Sequence, residues 1–280
     1  MKQKIGMFNA DSVSKPFAEM LELAKELGFS GMELFDLADL KTPDVEVAKR
    51  VRDKAAELEM DICCMSFGSD LMAKDLEEQL QKTKGYIRVA EAAGAPYMHF
   101  TTFPVLRYDV RGVSLNKVIR TLAPSVRELC DYAAERGIGC VVEPQGFYLN
   151  GVEPLAQLLE EVDHPNLGIV ADLGNVLCVD AEPEKFIGYF APVIRHVHIK
   201  DMAYTKVRED IPGVRWVPTR SGAWVHRTEL GTGAVDIERC LRILAKVGYD
   251  GYYAIENTVL NRLDKVTQDR EYLSRLLAGL

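Results

Sequence analysis

None of the six cysteines belongs to a C-x-x-C pair, so the sequence lacks a cysteine signature for a metal or redox site. Most lie within apolar strand or helix patterns, and buried, reduced thiols are expected. No stretch approaches the apolar length of a transmembrane helix. Behind the two N-terminal lysines the chain enters a strand-like run, with no apolar signal-peptide region. A soluble, cytoplasmic protein is the expectation. Cationic side chains are outnumbered, 34 lysines and arginines against 42 acidic residues, for a net charge of −8. A broad face for nucleic acid is not expected from that balance. Nor does a glycine-rich phosphate fingerprint follow the first strand, where Asn9-Ala-Asp-Ser-Val-Ser stands; this argues against an open dinucleotide-binding sheet.

What is present is a repeat. An amphipathic helix, a glycine and a short apolar run ending in a polar side chain recur along the chain. Gly28 precedes Gly31-Met-Glu33-Leu, Gly94 precedes Tyr97-Met-His99-Phe, Gly137 leads to Glu143, and Gly248 leads to Glu256. Glycine just past a helix supplies the left-handed residue that stops it. The pattern predicts strands near 3–8, 31–35, 61–67, 96–100, 139–143, 167–172, 194–200 and 252–256. Helices are predicted near 15–27, 44–59, 75–93, 114–136, 153–162, 183–190, 236–247 and 264–278. Eight such alternations over 280 residues predict a single (β/α)8 TIM barrel, because parallel neighbours need a crossover helix. The stretch at about 202–230 breaks the repeat. It holds Pro212, Gly213, Pro218, Gly222, several arginines, Trp216 and Trp224. It reads as an inserted loop, serving as a lid over the C-terminal mouth or as a subunit contact.

Active sites of such barrels lie where the strands end. The downstream ends carry Glu33, Ser66, His99, Glu143, Asp172, His198, Lys200 and Glu256. Three carboxylates and one imidazole, Glu143, Asp172, Glu256 and His198, are what a hard or borderline divalent cation needs. Strand alternation puts His196, His198 and Lys200 on one side, with His196 deeper and satisfied by hydrogen bonds. Lys200 can contact a substrate oxygen or phosphate, or pair with Asp201 or a nearby glutamate. Glu33 can bind a sugar hydroxyl or form a salt bridge beneath the site. His99 can donate to substrate or be a satisfied core histidine, and Asn175 can return toward the mouth.

The segments Gly28-Phe-Ser-Gly-Met-Glu33-Leu, Val142-Glu143-Pro, Asp172-Leu-Gly-Asn175, His196-Val-His198-Ile-Lys200-Asp201, Gly231-Thr-Gly-Ala-Val-Asp236 and Ala254-Ile-Glu256-Asn stand in this order. In this they resemble the xylose isomerase-like barrels of the sugar phosphate isomerase/epimerase superfamily. Ketose 3-epimerases, hydroxypyruvate isomerase and inosose dehydratase look like this. The resemblance implies one divalent cation, Mn2+ first, with Mg2+, Co2+ or Zn2+ as alternatives, on Glu143, Asp172, His198 and Glu256. It also implies that Glu143 and Glu256 form an acid/base pair acting on a sugar or cyclitol, with Glu33, His99, Gln145, Asn175 and Lys200 as substrate contacts. Proton abstraction next to a carbonyl gives epimerisation or isomerisation; loss of a neighbouring hydroxyl gives dehydration. A dimer or tetramer is compatible with this reading. The chain departs from many relatives at Gln145 and Asn175, where they carry histidine, and its segment between His198 and Glu256 is longer. An endonuclease IV-like DNA-repair enzyme shares the barrel but needs several zinc ions and more histidines than the five present. A catalytically dead binding barrel is the third reading.

Overall fold

The computed structural model describes residues 3–8, 15–106, 113–256 and 262–280. The segment beginning at Asn9 and the residue after Glu256 lie outside these ranges. Eight parallel strands close into a barrel: β1 (Ile5–Phe8), β2 (Gly31–Phe35), β3 (Asp61–Phe67), β4 (Tyr97–Phe100), β5 (Gly139–Val142), β6 (Leu167–Asp172), β7 (Ile194–Ile199) and, last in the chain, β11 (Tyr253–Ile255). β1 pairs with both β2 and β11, which leaves no open edge. Helices α1 (Phe17–Glu26), α2 (Val45–Glu57), α3 (Leu76–Ala93), α4 (Leu115–Ala134), α5 (Val152–Val162), α6 (Pro183–Phe190), α7 (Ile237–Lys246) and α8 (Leu263–Ala278) alternate with them.

Local chemistry places the boundaries. The four glycines of the repeat, Gly28, Gly94, Gly137 and Gly248, all adopt positive φ between 69° and 82°, where a side chain would be strained. At helix starts, the Asp44 carboxylate accepts from the amides of Glu46 and Val47, and Asp236 accepts from Arg239. The inner helix faces, among them Leu21, Val51, Leu122, Leu155, Ile187 and Leu241, are buried against the sheet in one continuous apolar layer. A second small cluster, Cys64, Val141 and Val170 with Tyr97, is separate from it. These residues are register partners of Glu33, His99 and His196, so they face the barrel interior with them. All six cysteines are free and buried. Among the described residues no helix is long and apolar enough to cross a membrane.

The stretch expected to be a loop contains a second sheet. β8 (Asp201–Thr205), β9 (Val217–Pro218) and β10 (Trp224–Thr228) are antiparallel, with β10 in the middle. The segments Asp-Met-Ala-Tyr-Thr and Trp-Val-His-Arg-Thr have β-favouring side chains, but the prolines, glycines and charges around them hid that signal. β8 starts one residue after β7 ends, so Lys200 is the hinge between barrel and insertion. The insertion is tied to the loop after β6 by the Asp180 carboxylate, which accepts from Tyr204 Oη (2.9 Å) and the Ser221 amide (3.0 Å). Its base is held by Asp201. That buried carboxylate accepts from the amides of Met202, Gly231, Gly233 and Val235 at 2.8–3.2 Å.

Asp201→Ala strands these four amides. The expected loss is about 3–5 kcal/mol of stability, read by thermal or urea unfolding, with amide exchange accelerated first at residues 229–235. An unchanged midpoint would refute the clamp.

Candidate functional site

The inward positions at the carboxyl ends of the strands bring the polar residues together. Asp172 and His198 are register partners on β6 and β7, and His198 is also opposite Ala254 on β11. Glu143 and Glu256 each follow the last residue of their strand, β5 and β11. Glu143, Asp172, His198 and Glu256 are buried, and one donor atom from each lies within 4.8 Å of the others. His198 Nδ1 is 3.3 Å from Glu143 Oε2, 3.6 Å from Glu256 Oε2 and 4.0 Å from Asp172 Oδ2.

Such crowding of like charges needs compensation. Lys200 Nζ provides part of it, at 2.8 Å from Asp172 Oδ2, 2.6 Å from Glu256 Oε2 and 3.0 Å from Asn175 Oδ1. Arg227 on β10 donates to Glu256 Oε1 at 2.9 Å. Burial alone would raise the Glu256 carboxyl, but Lys200, Arg227 and His198 outweigh it and hold it at about 2. Burial pushes Asp172 up to about 7; Glu256 and Glu143 repel its charge, and Lys200 offsets only part. Gln145 Nε2 donates to Glu143 Oε1 at 2.7 Å.

Beneath this cluster lies Glu33, with a side chain wholly removed from solvent. Its carboxylate meets His196 Nε2 at 2.7 Å and His198 Nε2 at 3.1 and 3.2 Å, and accepts from Ser66 Oγ. Burial works against its charge, yet His198 and His196 hold the carboxyl well below its ordinary range. Ser66 Oγ in turn meets His99 Nδ1 at 2.9 Å, and His99 Nε2 is 3.7 Å from Glu143 Oε1. Burial outweighs the neighbouring carboxylates and lowers the His99 pKa.

The donor set fits a divalent cation. His198 uses Nε2 for Glu33, which leaves Nδ1 facing three carboxylates, and both His198 Nδ1 and Glu143 Oε2 are buried without a hydrogen bond. Three oxygens and one nitrogen from four rigid strands, with a carboxylate behind the imidazole, make the kind of shell such ions take. Next to it is a cavity of about 230 Å3, lined by Gln145, Asn175, Cys178, Lys200, Met202 and Arg227 among others. Two polar groups, Arg227 at the cavity and Ser66 beneath the cluster, were not singled out in the sequence. Arg227 was one of several arginines in an irregular stretch, and Ser66 was a strand-end residue with no chemistry of its own.

Fold and cluster together define a class of barrel enzyme built around an acid–imidazole set at the strand ends. The family model described as xylose isomerase-like TIM barrel matches residues 21–276, and the chain belongs to that family. It is similar to inosose dehydratase of Clostridium botulinum, 23% identical with 95% of this chain and 98% of the relative covered. It is also similar to fructoselysine 3-epimerase of Shigella flexneri, 24% identical over 99% and 98% of the two chains. Among solved structures, a xylose isomerase-like TIM barrel protein from Mycobacterium smegmatis in complex with magnesium superposes with a TM-score of 0.75. It is 21% identical, covering 99% of this chain and 97% of that one.

Protons compete with a cation for this site. The His198 pKa is raised well above its usual value: burial opposes the shift, but Glu33, Glu143 and Glu256 overcome it. Asp172 is raised as well. Raised values mean that the metal-free protein holds protons that a cation must displace, so binding weakens as pH falls below about 7. Calorimetric titration with Mn2+ or Mg2+ in buffers of different ionisation enthalpy should show proton release. Affinity should rise about tenfold per pH unit for each proton released. A pH-independent affinity between pH 6 and 8 would contradict this.

Proposed function

We propose that this enzyme is a divalent-metal-dependent isomerase or epimerase of a sugar or cyclitol, working by proton abstraction next to a carbonyl. The observation that carries the reading is the convergence of Glu143, Asp172, His198 and Glu256 with two buried donor atoms left unmatched. These four residues would hold the cation, with Mn2+ the first choice. When bound, it would supply Lewis-acid stabilisation of negative charge on the substrate's carbonyl oxygen.

The remaining work falls to the chain. In barrel order β11 and β5 are separated by β7 and β6, so Glu256 and Glu143 approach the cavity from well-spaced strands. One carboxylate can take a proton from one side of a substrate while the other returns it. Gln145 holds Glu143 Oε1, which leaves the unmatched Oε2 facing His198 Nδ1, where the cation would sit. Lys200 and Arg227 keep Glu256 ionised. Gln145, Asn175 and Lys200 line the cavity and supply the polar contacts that orient hydroxyl groups. A volume near 230 Å3 is below the roughly 300–1,000 Å3 of drug-sized pockets, which favours a single monosaccharide-sized ligand. The inserted sheet acts as a lid, since it delivers Arg227 to Glu256.

Dehydration is the second reading, favoured by the near full-length similarity to an inosose dehydratase. The same proton abstraction would then be followed by loss of a neighbouring hydroxyl.

The test is incubation of metal-loaded protein with a panel of ketoses and inososes in D2O, followed by NMR. Deuterium should enter at a carbon next to the carbonyl, with net epimerisation, isomerisation or water loss separating the readings. Glu143→Gln and Glu256→Gln should each slow exchange by about 10²–10⁴-fold. Exchange undiminished in both variants would remove the proposed acid/base pair.

A further inference from the structure

We infer that Glu33 is the positioning residue of this site: directly on His198, and through Ser66 on His99, it fixes which ring nitrogen points back toward it, leaving His198 Nδ1 for the carboxylate cluster and a His99 Nε2 lone pair toward Glu143. Glu33 presents two oxygens, and three groups converge on them: His196 Nε2, His198 Nε2 and Ser66 Oγ. A carboxylate offers only lone pairs, so each of the three must donate. Ser66 has one hydroxyl hydrogen, and Glu33 takes it. At its contact with His99 Nδ1, 2.9 Å away, Ser66 can only accept, so the His99 N–H is on Nδ1. Its other nitrogen, Nε2, is then a bare acceptor 3.7 Å from Glu143 Oε1, buried and without a hydrogen bond.

His198 is oriented by the same carboxylate. Its Nε2–H belongs to Glu33, which leaves Nδ1 for the carboxylate cluster. One buried side chain on β2 thereby sets the polarity of two imidazoles on β4 and β7. The two rings pack edge to face, with centroids 5.4 Å apart. The identity of the ring nitrogens stands without the sugar-enzyme reading; only the consequence for metal affinity rests on it.

Glu33→Gln keeps the shape but adds an N–H donor to the chain. A donor at position 33 can reverse the Ser66 hydroxyl, which then donates to His99 Nδ1 and moves the ring hydrogen to Nε2. Protein labelled with 15N-histidine and kept metal-free at pH 8, with His99→Asn used for assignment, reports the tautomer by long-range 1H–15N correlation. The wild type should show His99 with its hydrogen on Nδ1, and Glu33→Gln should shift it toward Nε2. Mg2+ affinity, measured by calorimetry, should fall about 10–100-fold in Glu33→Gln. Ser66→Ala, which leaves Glu33 and His198 in place, should release the His99 preference while keeping Mg2+ affinity within about twofold. This second variant carries the test if Glu33→Gln fails to fold. A wild-type His99 with its hydrogen on Nε2, or a His99 tautomer unmoved by Ser66→Ala, would overturn the inference. A wild type that binds no divalent cation would defeat the proposed function alone, because the tautomer measurement still decides this one.

Discussion

Three carboxylates confined within a few ångströms at the end of a barrel are the constraint around which the rest of the molecule is organised. Such a cluster is unfavourable in a low-dielectric interior unless cations and donors meet it. The chain provides them from different directions. Lys200 comes from the end of β7, Arg227 from the inserted sheet, and His198 from below, where Glu33 holds its far nitrogen. Under the proposed function a divalent ion would complete the balance where His198 Nδ1 and Glu143 Oε2 face one another unmatched. In this sense the acidic cluster and the fold are one electrostatic problem.

The insertion shows how a peripheral element becomes part of that solution. Its first strand is nearly continuous with β7, and its last carries Arg227 back to Glu256. Asp201 and Asp180 anchor it at its base and flank. Lys200, between the barrel strand and the insertion, is therefore both a structural junction and a charge in the site. The placement of the sheet and the electrostatics of Glu256 are linked through these two residues, Lys200 and Arg227.

Much of this was legible in the sequence, for identifiable reasons. Helix-stopping glycines and apolar strand runs are local signals, and the eight predicted strands and helices agree with those observed to within a few residues at their ends. Inward alternation of His196, His198 and Lys200 follows from the pleat of a strand, which is also local. The small sheet within 202–230 was not legible. Its strands are short, they pair across a long connection, and their partners are chosen by tertiary packing rather than by periodicity. Asp201 was visible only as a partner for its neighbour, whereas it closes the insertion with four amides far along the chain.

The order of helices and strands, the closed barrel, and the identity of the side chains at the strand ends were therefore determined by the sequence itself, because each depends on period, caps and turns over a few residues. What only tertiary structure decided was which of those polar ends face one another, and through which atoms. Glu33 lies beneath the cluster, Ser66 relays its polarity to His99, and Arg227 crosses from another sheet to Glu256. Those relations depend on distances between strands far apart in the chain, and hydrogen-bond direction has no meaning until the partners are in place.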